Sequence, residues 1–156
     1  MLIVFFDIDG IVHREFLPEG LSTVNADYYC SVLRRLREDV RRKRSSLWRD
    51  GNWMVQHDNA PAHNALKTRE FLSRTGSIVV SHLPYSPDLA PCDFFLFPKI
   101  KAKLKGRRFS TVSEIQAESQ TVLDSLEETD FQRAFLVLQK HWERCVAAQG
   151  EYVEGD

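Results

Sequence analysis

Two proline-marked segments constrain this 156-residue chain more than any other feature. They are His57-Asp58-Asn59-Ala60-Pro61-Ala62-His63 and Ser86-Pro87-Asp88-Leu89-Ala90-Pro91-Cys92-Asp93, which leave 34 residues between Asp58 and Asp93. In the first, Trp53 to His57 reads as a short strand, and Asn59 and Pro61 suit the cap and first turn of a helix running to about Arg74. In the second, Pro84, Pro87 and Pro91 force an irregular connection before a helix that begins near Pro91, with Asp93 in its first turn. Each segment delivers a carboxylate to the point where the chain enters a helix. A strand that hands directly to a helix belongs to an α/β domain.

The rest of the pattern agrees. Leu2 to Asp7 is a continuous apolar run, and Asp9-Gly10 separates it from Ile11 to Leu17, which predicts a hairpin with a tight Asp-Gly turn. From about Asn25 to Arg44, Tyr29, Val32, Leu33, Leu36 and Val40 recur at helical intervals, with Ser22, Thr23 or Asn25 available as the cap. Ile78 to Ser81 reads as a further strand. Two more helices follow, one lined by Val112, Ile115, Ser119, Val122, Leu123 and Leu126, the other by Phe131, Phe135, Leu138, Trp142, Cys145 and Val146, with Thr129 as its cap. The expected organisation is one α/β domain over 1–150 with a mixed sheet flanked by helices, then an acidic tail over 151–156 that frays.

Composition narrows the function classes. A formal charge of −1 gives no global attraction to polyanions, so any nucleic-acid contact must come from local Lys and Arg clusters. The apolar opening is too short for a signal peptide or a membrane span, which predicts an intracellular protein with no membrane partner. Cys30, Cys92 and Cys145 are scattered and form no Cys-x-x-Cys pair, so they read as reduced thiols. His57 and His63 flank the first acidic segment and are placed to orient a carboxylate or touch phosphate, but they make a poor zinc site. Trp48, Trp53 and Trp142 read as packing residues.

Two readings of Asp58 and Asp93 stand at this level. As helix-terminal charges they stabilise by about 0.3–1 kcal/mol each through the helix dipole. As convergent carboxylates they supply the oxygen ligands that Mg²⁺ prefers, completed by waters and substrate phosphates.

The two motifs resemble those of the mariner family of cut-and-paste DNA transposases. There, a His-Asp-Asn-Ala-Pro-x-His segment and a Ser-Pro-Asp-Leu-Ala-Pro-x-Asp segment carry two catalytic aspartates. The similarity extends to Asn25–Tyr29, the helix after Asp93, Gly106-Arg107-Arg108-Phe109 and Trp142-Glu143-Arg144-Cys145, and so covers essentially the whole chain. The resemblance implies an RNase H-like domain in which Asp58 and Asp93 are catalytic and bind Mg²⁺ or Mn²⁺ for DNA strand cleavage and transfer. It also implies a nuclear location and action as a homodimer.

The family's first catalytic Asp lies on an earlier strand, in a Thr-Gly-Asp-Glu-like segment upstream of the hairpin that Leu2 to Leu17 matches. No such segment occurs in these residues, so the expected sheet lacks its first central strand and catalysis is expected to be impaired. Asp7 and Asp9 are read as strand-end and turn residues rather than substitutes for that ligand. Nothing here matches the family's helix-turn-helix domains, so DNA contact is expected through the backbone rather than through sequence.

Two basic clusters are available for such contact. Lys99, Lys101, Lys103, Lys105, Arg107 and Arg108 follow Asp93 directly and form the candidate DNA-binding strip. Arg34, Arg35, Arg37, Arg41, Arg42, Lys43 and Arg44 are interrupted by Glu38 and Asp39 and suit a helix C-terminus. The rival readings are a non-catalytic, domesticated DNA- or protein-binding module, and an incomplete gene model.

Overall fold

A computed structural model describes residues 1–80 and 87–147. The expected end of a strand at Ser81, the turn at Pro84, the start of the second motif at Ser86 and the acidic tail from Glu151 lie outside the described residues. The chain forms two compact units, one of residues 1–7 and 11–84, the other of residues 8–10 and 85–156.

The first unit opens with strands β1 (Leu2–Asp7) and β2 (Gly10–Phe16), paired as a two-stranded sheet. The turn is one residue earlier than the Asp9-Gly10 reading: Ile8 and Asp9 make it, and Gly10 already belongs to β2. Gly10 has φ 124°, a conformation that side chains other than glycine's rarely adopt, which fixes where the strand can resume.

Helix α1 (Ala26–Lys43) starts at Asn25, whose Oδ1 accepts a hydrogen bond from the Tyr28 N–H at 2.8 Å. Its buried positions are Tyr29, Cys30, Val32, Leu33, Leu36 and Val40, the helical stripe that the sequence shows with Cys30 added. Against this stripe pack Val12, Val55, Ala62, Phe71 and Leu72. Each such side chain stabilises by about 1.5–3 kcal/mol at most, because the unfolded chain already hides part of its apolar surface.

A short helix that the apolar pattern did not reveal, α2 (Ser45–Asp50), follows α1 and stops at Gly51, which is left-handed with φ 66°. Its Trp48 stacks on Trp53 with ring centroids 6.4 Å apart, and both are half-buried against the core.

Strand β3 (Met54–Gln56) pairs in parallel with β4 (Ile78–Val80), with Met54 opposite Ile78 and Gln56 opposite Val80. A parallel pair needs a crossover, and helices supply it. The expected single helix to Arg74 is instead two, α3 (Pro61–Asn64) and α4 (Leu66–Arg74), broken where Ala65 is extended with ψ 150°. The fully buried Thr68 hydroxyl donates to the Ala62 carbonyl at 2.5 Å, supplying a partner at the break. At the other end of α4, Ser77 N–H reaches Leu72 O at 2.9 Å and Gly76 N–H reaches Ser73 O at 3.1 Å, a Schellman closure that points the chain into β4. Among the described residues β1–β2 and β3–β4 are separate two-stranded sheets, with no strand between them.

The second unit is helical: a 3-10 turn (Pro87–Leu89), a π-helical turn (Cys92–Leu96), then α5 (Phe97–Leu104), α6 (Val112–Ser125) and α7 (Glu128–Ala147). Leu89 and Leu96 are completely buried, and Leu123 and Phe131 nearly so. Phe95 meets Phe131 edge to face with centroids 5.6 Å apart. Thr111 caps α6 by accepting from Glu114 N–H, while the Glu114 carboxylate accepts from Ser110 N–H.

Thr129 lies inside α7 rather than capping it, and in the helix's first turn Asp130 Oδ2 reaches back to accept from Glu127 N–H at 2.9 Å. The apolar stripes are also shorter than their periodicity implies. Val112 and Ile115 at the start of α6 and Val146 at the end of α7 are exposed, because the core meets the C-terminal half of α6 and the N-terminal half of α7. No described helix is long and apolar enough to cross a membrane.

Candidate functional site: two carboxylates and a lysine strip

Asp58 lies two residues beyond the end of β3, which stops at Gln56 rather than at the expected His57, and three residues before α3. Its side chain is 57% exposed, and its two oxygens are in different situations. Oδ1 accepts from Ala60 N–H at 3.0 Å and faces His63 Nδ1 at 2.8 Å. The same His63 nitrogen lies 3.2 Å from the Asp58 carbonyl oxygen. Oδ2 has no hydrogen-bond or ion-pair partner among the described residues.

The capping reading of Asp58 is therefore correct in part. The carboxylate does close the turn into α3, through Ala60 rather than through the helix's own first donors. The expected cap at Asn59 is displaced to Ala60, which has no side-chain oxygen to offer.

Rings hold this turn. The His63 imidazole packs against both Tyr29, tilted and 4.1 Å away centroid to centroid, and His57, stacked at 4.8 Å with 15° between planes, and those two rings are themselves 5.7 Å apart. Tyr29 comes from the buried stripe of α1, and its hydroxyl lies 2.8 Å from His57 Nδ1. Burial pushes the Tyr29 phenol above its ordinary range, and the charge of Asp58 adds to the effect. The phenol stays protonated, within hydrogen-bond distance of His57 Nδ1.

Asp93 sits in the π-helical turn, its N–H bonded to Ala90 O at 2.9 Å. The widened turn has a local cause two residues beyond it. Pro98 in the first turn of α5 has no N–H and its ring would collide with the carbonyl four residues earlier, so the ladder shifts to a bond from Phe97 N–H to Cys92 O. The Asp93 side chain is exposed and has no hydrogen-bond or ion-pair partner among the described residues.

Each position taken by itself offers the oxygen chemistry that hard divalent cations prefer: one free oxygen on Asp58, and an unengaged carboxylate at Asp93. Among the described residues no group of three or more His, Cys, Asp or Glu is arranged to hold a metal ion.

Asp7 is committed elsewhere. Arg44 grips it with Nε at 2.8 Å from Oδ2 and Nη2 at 3.0 Å from Oδ1, tying the hairpin to the end of α1. Asp9 is an exposed turn residue.

Residues 1–50 match the family described as Transposase (partial DDE domain). Over 155 residues the chain is 33% identical to the Mariner Mos1 transposase of Drosophila mauritiana, covering 99% of this chain and 45% of that protein. It superposes on the Mos1 transposase catalytic domain solved with Raltegravir and Mg with a TM-score of 0.84 at 33% identity, covering 96% of this chain and 74% of that one.

The chain belongs to the mariner transposase family. It also matches the Mos1 transposase paired-end complex with left transposon end, with a TM-score of 0.85, covering 96% of this chain and 43% of that one. The chain thus spans less than half the length of the curated mariner relative and corresponds to its RNase H-like catalytic domain.

The mariner motifs divide between the two units, Asp58 in the first and Asp93 in the second. The second unit also carries the lysine strip. Lys99, Lys101, Lys103, Lys105, Arg107 and Arg108 are all exposed, while Ile100 faces the core. Lys99 lies over the Phe95 ring at 5.5 Å, and Arg107 pairs with Glu118 at 2.6 Å. Lys101, Lys103, Lys105 and Arg108 have no hydrogen-bond or ion-pair partner among the described residues.

Sequence reading missed a buried charge cluster in the first unit. His13, nearly buried on β2, has Nδ1 2.7 Å from Asp39 Oδ2 and Nε2 2.6 Å from Glu15 Oε2. Glu15 also accepts two bonds from Arg35, at 2.7 and 2.9 Å, and one from Tyr28 at 3.0 Å. Burial alone would raise the Glu15 carboxyl, but the hydrogen bonds from Arg35, His13 and Tyr28 outweigh it and hold the group down at about 2. The only signal in the sequence was a histidine in an otherwise ordinary strand with arginine one helix away, which many solvated surfaces share.

Proposed function

We propose that this chain is a catalytic-domain portion of a mariner-type transposase, with Asp58 and Asp93 as the ligands of Mg²⁺ or Mn²⁺ for DNA strand cleavage and transfer. What carries the reading is the coincidence of the two family motifs with a free carboxylate oxygen at Asp58 and an unengaged carboxylate at Asp93, in a fold that superposes on the Mos1 catalytic domain. Such a cation, when bound, activates water or a DNA 3′-hydroxyl and neutralises charge on the phosphodiester. The chain's own part is to hold Asp58 just beyond the end of β3 and Asp93 in the π-helical turn, and to receive DNA phosphates on Lys99, Lys101, Lys103, Lys105, Arg107 and Arg108. This contact is to the backbone, so it is salt-dependent and indifferent to sequence. Action as a homodimer in the nucleus belongs to the same reading, in keeping with the paired-end complex that Mos1 forms.

Cleavage by these 156 residues is impaired in this reading, because they supply two of the three carboxylates that the motif comparison calls for. Losing one element of transition-state electrostatics costs about 10²–10³ in rate. The experiment is incubation of the purified chain with supercoiled DNA and Mn²⁺ or Mg²⁺, alongside a gel shift at low salt. Retarded DNA with little nicking is expected. Robust nicking that vanishes in Asp58→Ala and Asp93→Ala would overturn the impairment and leave the metal assignment standing, while DNA that does not bind at low salt would remove the DNA assignment. Binding with no response of any kind to Asp58→Ala would favour a non-catalytic DNA-binding module, the reading to which the free lysines of α5 also lend themselves.

A further inference from the structure

Asp58 is asymmetric in a way its exposure does not require. More than half of its side chain faces solvent, yet both of its polar contacts fall on Oδ1 and neither on Oδ2. A solvent-facing carboxylate that only closed a turn would be satisfied by Ala60 N–H alone. The second contact comes from an imidazole that is itself immobilised: the His63 ring is only 20% exposed, is stacked on His57 and packs against Tyr29. The Tyr29 hydroxyl fixes His57 in turn, and Tyr29 is part of the α1 core. An unbroken line of contacts therefore runs from the rigid interior of the first unit to one oxygen of Asp58.

We infer that His63 is a positioning residue: its Nδ1–H pins Oδ1 of Asp58, fixing the carboxylate rotamer so that Oδ2 alone is presented to the divalent cation. This rests on the reading of Asp58 as a metal ligand. The chemistry follows from the donor set. An oxygen that already accepts two hydrogen bonds has little lone-pair density left to offer, so Asp58 binds through one oxygen rather than chelating with both. Holding the carboxylate in that pose before the cation arrives removes the rotamer cost of binding, as hydrogen-bonded partners of metal ligands do elsewhere, where their loss weakens metal affinity about 10–100-fold. What this needs is a proton on Nδ1, and the Asp58 carbonyl at 3.2 Å favours the same proton position.

Two substitutions separate the N–H from the ring. His63→Phe keeps an aromatic ring against Tyr29 and His57 but has no donor; His63→Asn gives up the stack but places an N–H where Nδ1 stands. Mn²⁺ affinity of the full chain is measured by electron paramagnetic resonance of free Mn²⁺, with circular dichroism to confirm that each variant is folded. The expected result is a 10- to 100-fold weaker Kd in His63→Phe and a Kd within about threefold of wild type in His63→Asn. Wild-type affinity in His63→Phe overturns the inference, and so does an equal loss in both variants, since the loss would then follow the ring. If Mn²⁺ binding is absent in wild type or unchanged in Asp58→Ala, the metal reading itself falls and the role of His63 with it. Loss in Asp58→Ala without loss in His63→Phe removes only the role of His63.

Discussion

The basic residues of α1 and those around α5 are alike in sequence and opposite in structure. On α1, Arg35 grips Glu15, Arg41 pairs with Glu38, Arg42 with Asp39 and Arg44 with Asp7. Arg34 lies over Phe71, Arg37 over Trp48 at 4.9 Å, and Lys43 donates to the Val12 carbonyl. Every cation there is spent within the fold. Around α5, five of the six have no ion-pair or hydrogen-bond partner among the described residues, Arg107 being paired with Glu118, and α5 itself carries no acidic residue. A run of arginines is thus weak evidence for a polyanion site until its counter-charges are located, whereas lysines with none are available to a ligand.

The sharpest way to break this contrast is at Glu15, where α1 is tied to the hairpin. Glu15→Ala strands His13, Arg35 and the Tyr28 hydroxyl together. It should cost about 2–3 kcal/mol, below the range for wholly buried pairs because Arg35 is half-exposed. Urea unfolding measures it as a lower midpoint at an unchanged slope. A loss under ~0.5 kcal/mol would mean that the cluster is surface decoration and that α1's cations are as available as those of α5.

The complementary change is Lys99→Ala, Lys101→Ala and Lys103→Ala combined. With no partners at Lys101 or Lys103 to strand, the melting temperature should hold. Affinity for DNA should fall about 10- to 100-fold at low salt, and the slope of log K against log salt should flatten by about 3. A fluorescence-anisotropy titration at several salt concentrations reads both. Arg35→Ala should leave that slope alone.

Acid provides a milder version of the Glu15 experiment. Hydrogen bonds hold this carboxyl at about 2 in the folded chain, against about 4.5 as the ordinary value. Because the folded value is the lower one, the stability it contributes is complete above about 4.5 and is lost as pH falls from there towards 2. The Asp39 carboxyl is also lowered: burial raises it, but the bond from His13 and the charge of Lys43 prevail, so it acts in the same direction. After allowance for solvent reaching Arg35, the Glu15 contribution is on the order of 1–2 kcal/mol. Unfolding followed between pH 6 and pH 2 should show that loss in wild type and not in Glu15→Ala; parallel curves would remove Glu15 from the account.

What the sequence made legible follows the same division between local and distant causes. The hairpin, the α1 stripe, the Asn25 cap and the strand before Asp58 depend on residues within a few positions of each other, and they stand where periodicity puts them. The break at Ala65, the first turn of α7 and the π-helical turn also have local causes, in Thr68, Asp130 and Pro98, but these compete with equally good local alternatives. The charge cluster of His13, Glu15 and Asp39 joins β2 to α1 across 26 residues, and no pattern within either element announces it. Of the candidate site, both aspartates could be found from their motifs, whereas the unequal treatment of the two Asp58 oxygens arises from a tyrosine 29 positions earlier in the chain.

The smallest expected effect is the most discriminating control. Arg41 and Glu38 form a pair one turn apart on α1, both more than half exposed, and the pairing raises the guanidinium's proton affinity while lowering that of the carboxyl. Water screens such a pair and the two long side chains give up freedom to form it, so its contact is close without being stabilising. Arg41→Ala should leave the thermal midpoint where it is and DNA affinity unchanged, as followed by circular dichroism and anisotropy. The absence of an effect on stability would place the strength of the α1 cluster in its least exposed members, buried His13 and partly buried Glu15, rather than in the number of its arginines. A fall in DNA affinity would instead show that Arg41 exchanges Glu38 for phosphate. In that case a counter-charge on the same helix face would not suffice to remove a cation from a binding surface, and α1 would join α5 as a place where DNA is held.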